Sequence, residues 1–169
     1  MNDDNEGIES KFYSFYLKIF NYWFPITGDY DVCPHWSIPN PTRTEDFTIA
    51  FVIEHYHHPL LLVDIKPSLE FQSDIGRGQA IHQVTSHLDE IGPTNLHADR
   101  LYAISAIGKR WRACYALKGK GSKNGQPVKG IATKNSLRSA NVECWNPDIT
   151  SNTSWIALKS IVETIKSYA

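Results

Sequence analysis

The chain has 169 residues, 41% of them hydrophobic and 12% aromatic, which is enough to bury one core unaided, so a single domain over 1–169 is expected. No uninterrupted apolar run approaches the roughly 20 residues that cross a bilayer. The opening MNDDNEGIES is acidic where a secretory leader is basic and then apolar, so membrane and export readings are set aside for an intracellular one, nuclear or cytoplasmic. The three cysteines, Cys33, Cys114 and Cys144, are widely spaced and fit reduced thiols better than a disulfide framework. The net charge of −1 conceals an asymmetry: from Arg100 to Arg138 the chain carries ten Lys or Arg residues and no Asp or Glu. A block of one sign suits a polyanion, because each phosphate contact releases condensed counterions from nucleic acid.

In chain order, Phe12, Phe15, Tyr16, Ile19 and Trp23 recur at helical spacing and predict an amphipathic helix over 8–23, ended by Pro25 and Gly28. Residues 25–45 are rich in Pro, Asp and Thr without a sustained period and read as an irregular connection. Asp46 to Glu54 alternates, with Phe47, Ile49, Phe51 and Ile53 on one face, which predicts a strand. Leu60 to Lys66 is apolar on both faces until Asp64, the pattern of a strand inside a sheet, and His55 to Pro59 is then the hairpin connection. Ser73 or Asp74 can cap a helix that aligns Ile81, Val84, Leu88 and Ile91 and stops at Gly92-Pro93. Leu101–Ile107 and Trp111–Leu117 are strand-like, with a turn at Gly108. The Gly/Lys-rich stretch over about 118–130 reads as a basic loop, and Trp155, Leu158, Val162 and Ile165 mark a C-terminal helix capped by Ser151 or Asn152. The expected architecture is an α/β sandwich with a mixed central sheet flanked by helices.

The chemistry gathers on the two central strands. Side chains alternate along a strand, so Asp64 and Lys66 project from one face, two rises of about 3.3 Å apart. If the hairpin turns near residue 55 or 56, Asp46 falls opposite Asp64 or Lys66 on that face. Two carboxylates roughly 5 Å apart across a ladder repel, and either a proton or a cation must sit between them. Oxygen ligands of this kind suit Mg²⁺, which keeps several waters and can present one beside a phosphate. Lys66 is placed to orient that water or to offset negative charge on the phosphate.

These residues, Asp46 and the Asp64-Ile65-Lys66 run within LLLVDIKP, resemble the PD-(D/E)XK nuclease superfamily, the fold of restriction endonucleases. The resemblance spans about residues 8–117: a helix, a hairpin bearing Asp and then (Asp/Glu)-x-Lys, a second helix and two more strands. It implies a restriction-endonuclease-like fold and a metal-dependent nuclease acting on nucleic acid, DNA before RNA, with Mg²⁺ or Mn²⁺. Asp46, Asp64 and the Ile65 backbone carbonyl would hold the metal, and Lys66 would act on the attacking water. Several members place Gln on the helix after the Lys strand; Gln79 matches best, with Gln83 one turn on, and Glu9 of the first helix is a further candidate acid. Related enzymes often form a homodimer to cut both strands. Glu45 stands where the family name has Pro, and Asp64 replaces the commoner Glu, departures that leave open a catalytically degenerate module holding nucleic acid or a protein partner. Arg110, Arg112, Lys118, Lys120, Lys123 and Lys129 are the candidate phosphate contacts.

Other signals are weaker. His55, His57 and His58, with Cys33 and His35, lack the spacing of a zinc site. The Gly119–Gly125 stretch has no terminal Gly-Lys-Ser/Thr and is no P-loop. Strand alternation makes Trp111 a core residue rather than a base-stacking one, and His82 and His87 read as ordinary helix residues.

Overall fold

The structure, a computed structural model, describes residues 10–37, 48–91, 98–118, 121–127 and 140–168. The elements run α1 (Ser10–Trp23), β1 (Tyr30–Ser37), β2 (Thr48–His55), β3 (His58–Lys66), α2 (Asp74–Ile91), β4 (Arg100–Ile107), β5 (Arg110–Leu117), β6 (Gly121–Pro127) and α3 (Asn152–Tyr168). The six strands form one sheet in chain order, antiparallel throughout except for β3 and β4, which are parallel and joined by α2 as the crossover. Parallel neighbours cannot be joined by a tight turn, and a helix is the usual connection. α1 and α3 cover one face and α2 the other. This is the mixed-sheet α/β sandwich the sequence implies, in the order helix, hairpin, crossover helix and strand. Among the described residues no helix is long and apolar enough to cross a membrane.

Local chemistry explains the boundaries. The Ser73 hydroxyl accepts the backbone N–H of Gly76 at 2.9 Å and caps α2, and Ser151 accepts from the Ser154 N–H at 3.3 Å before α3. Gly108 turns β4 into β5 with φ +59°, a conformation natural to glycine, and a Cβ there would sit 2.6 Å from the Ser68 side chain. The Gly108 carbonyl also accepts the buried Tyr16 hydroxyl at 2.8 Å, which ties α1 to this turn.

Two strands depart from the sequence reading. β1 lies within the stretch read as irregular, and β6 within the stretch read as a loop. Both are edge strands. Pro34 interrupts the β1 pattern but is tolerable on an edge, where one side of the backbone needs no ladder partner. β6, GSKNGQP, has no apolar side chain to mark a period.

The central hairpin is also tighter than expected. His55 pairs with His58, and the turn is only Tyr56-His57, with φ of +48° and +65°. Positive φ at both central residues is the turn geometry that matches strand twist. Moving the turn centre to 56–57, with a bulge between Ile53 and Glu54, alters the register: Val52 faces Leu62 and Phe51 faces Val63. Asp46 itself, with Phe47, lies outside the described residues. Ile49 also leaves its expected face. It packs with Val52 and Leu62 under α2, while Ala50 and Phe51 both join the α1/α3 side. On the neighbouring strand His35, between the partners of Ile49 and Phe51, has φ +51°, so the irregularity is shared by β1 and β2.

Candidate active site

The antiparallel β2–β3 ladder ends at Phe51 and Val63, one residue before Asp64, whereas β3 stays paired with β4 through Lys66. The acid and the lysine therefore stand where β3 has parted from β2. Asp64 lies beside Ser105 of β4, and Ser105 beside Arg112 of β5, so one register line across the sheet reads Asp64, Ser105, Arg112. The next line reads Lys66, Ile107, Arg110. The Asp64 line faces α2, where the Ser105 hydroxyl donates to the Ala80 carbonyl at 3.4 Å.

Asp64 is only 3% exposed, and its Oδ2 is 2.7 Å from Nδ1 of His87, which is 1% exposed on α2. The carboxylate's other oxygen, Oδ1, is buried and has no hydrogen-bond partner among the described residues. An ionised carboxylate offers about four acceptor positions, and burial makes each unmet one costly. Lys66 is half-buried and, by strand alternation, on the same face. Ile65 points the other way, into the α1/α3 core.

Arg112 is buried and lies over the Trp145 ring at 5.7 Å; burial lowers its pKa, but a guanidinium stays charged. As a buried side chain it is not the solvent-facing phosphate contact expected of it; alternation turns it under α2 while Trp111 fills the opposite core and donates to Ser154 Oγ at 3.0 Å. Arg110 is exposed and stacks over Phe71 at 4.6 Å, and Lys118 is exposed. Lys123 belongs to β6, and Lys120, Lys129 and Glu9 lie outside the described residues. Gln79 is exposed and Gln83 half-buried.

The sequence reading missed His87. The signal was there: Gln79, Gln83 and His87 follow at intervals of four and share one flank of α2, so the stripe read for its glutamines ends in the residue that meets Asp64.

A metal at this corner can be tested against the donors. Among the described residues no three His, Cys, Asp or Glu side chains form a group that would hold an ion by themselves. Mg²⁺, however, takes one or two carboxylates and leaves its remaining positions to water and phosphate oxygens. Asp64 Oδ1, a carboxylate oxygen with no donor among the described residues, fits that share.

No family model matches the chain, and no curated protein matches it. Among solved structures it is similar to the type IIG restriction endonuclease BpuSI, with 13% identity and a TM-score of 0.49. That likeness covers 96% of this chain but 17% of the other, so the chain spans under a fifth of that enzyme. Nothing in the chemistry below rests on it.

Proposed function

We propose that the protein is a metal-dependent nuclease that hydrolyses phosphodiester bonds, DNA before RNA, at the corner where β3 leaves β2. The observation that carries this reading is Asp64 Oδ1, a buried carboxylate oxygen without a donor among the described residues, on the same strand face as Lys66. Asp64, the Ile65 carbonyl and Asp46 would hold Mg²⁺ or Mn²⁺. When bound, the ion supplies a hard positive charge that polarises a phosphoryl oxygen and acidifies water. Lys66 orients the attacking water and offsets negative charge growing on the phosphate. Gln79 and, one turn on, Gln83 of α2 would donate to a phosphate oxygen. Arg110 and Lys118 hold the flanking backbone by charge.

Incubation with DNA and RNA in Mg²⁺ or Mn²⁺ tests the proposal. Cleavage should fall by about 100-fold or more in Lys66→Ala, the loss typical of a group that stabilises transition-state charge. Unchanged cleavage in that variant removes the mechanism.

A second reading has its own support. Asp64 is almost fully enclosed, with His87 against one oxygen, an arrangement that also suits a scaffold that binds nucleic acid without cutting it. Salt-sensitive binding with no turnover in either metal would favour it over the first.

A further inference from the structure

We infer that His87 is the positioning residue for Asp64: its Nδ1–H holds Oδ2 and so presents Oδ1 as the oxygen that receives the metal. The inference rests on the metal reading above and adds a member to it from α2.

Two apolar clusters fill the α2 face, one around Val52, Leu62, Val84 and Leu88, the other around Ile81, Ile107 and Trp145. Between them runs the line of Asp64, Ser105 and Arg112. A carboxylate on a strand can rotate about χ1 and χ2, and nothing apolar beside it fixes which oxygen points where. A hydrogen bond of 2.7 Å from a ring itself enclosed by helix and sheet does fix it. His87 sits on α2 directly before Leu88 and one turn before Ile91, both in the core, and is itself 1% exposed, so its ring is enclosed where it meets Asp64.

The division of the two oxygens is what gives the contact a purpose beyond stability. A buried acceptor left bare carries a desolvation penalty, and a carboxylate oxygen more than a neutral group. Here one oxygen is satisfied and the other is not. A neutral imidazole with the proton on Nδ1 is sufficient to make the contact, and it leaves the full negative charge of Asp64 for a cation. Partners that orient a ligand are worth about 10–100-fold in metal affinity when removed.

The test uses Mn²⁺ alone, titrated into the full chain and read from the electron paramagnetic resonance signal of the free ion. His87→Asn keeps an amide N–H near the position of Nδ1, whereas His87→Gln carries its amide to the position of Nε2. Both are polar and smaller than or similar to the imidazole, and thermal melting of each confirms folding. The expected result is Mn²⁺ affinity within a few-fold of the unsubstituted chain for His87→Asn, and a loss of about 10–100-fold for His87→Gln. Equal affinity in the unsubstituted chain and both variants overturns the positioning role while leaving the metal reading in place. No Mn²⁺ binding by the unsubstituted chain overturns the metal reading, and the positioning role with it.

Discussion

Against α1 and α3 the sheet presents Phe51, Ile53, Leu61, Val63, Ile65, Tyr102, Ile104, Ala106, Trp111 and Ala113, with the aromatic side chains of Phe12, Tyr16 and Phe20 set among them. Against α2 the same strands present two smaller apolar groups with Asp64, Ser105 and Arg112 between them, and His87 coming down from the helix. One layer is bound by dispersion and by apolar area withdrawn from water, terms that need no particular partner. The other spends part of its interface on polar groups whose value depends on partners being in place. The first layer can therefore carry stability while the second carries chemistry, and the two should respond differently to substitution.

The largest effect is expected on the apolar layer. Trp111→Ala removes a fully buried ring and its bond to Ser154 and should lower unfolding free energy by about 3–5 kcal/mol, read from urea denaturation. Mn²⁺ affinity of the folded fraction should not change. If it falls in step with stability, the two layers are not separable.

A second substitution series sharpens the comparison from the polar side. Asp64→Leu or His87→Leu alone leaves the other buried polar group without its partner and should cost about 1–3 kcal/mol. The double variant should recover most of that loss, since two apolar groups of suitable size replace the pair without an orphan. A double variant as unstable as the sum of its singles would mean the two side chains do not act together.

The smallest effect lies at the junction of the layers. Gly108→Ala forces a Cβ into a left-handed position and toward Ser68, and should cost about 1–2 kcal/mol in the same denaturation assay. A neutral result would show that the β4–β5 turn relaxes freely.

This asymmetry also explains what the sequence discloses. α1, β3, β4, β5 and α3 are legible because their apolar residues repeat at the period of the element, and the caps at Ser73 and Ser151 are legible because hydroxyls before a helix satisfy its first N–H groups. β1 and β6 are hidden because the alternation of Tyr30 and Val32, which pack on the core, is broken by Pro34, and β6 has no apolar residue to mark a period. Asp64 and Lys66 are visible as a strand-end pair, but their neighbourhood is not. Ser105 and Arg112 reach it through a parallel register that no local spacing encodes, and His87 through the pitch of a helix packed across the strand. The placement of Ile49 is illegible for a further reason, since it depends on an irregularity that β1 imposes on β2.

The pairing of β3 with β4 has a consequence for how the molecule comes into being. Antiparallel neighbours joined by tight turns can zip from their own hairpins within microseconds, whereas a parallel pair must wait for the chain to travel the length of a helix and return. A nascent polypeptide emerged only through α2 already contains the acid, the lysine and the histidine. It lacks the strands that wall them in, so the corner is completed only when the second half of the chain is delivered.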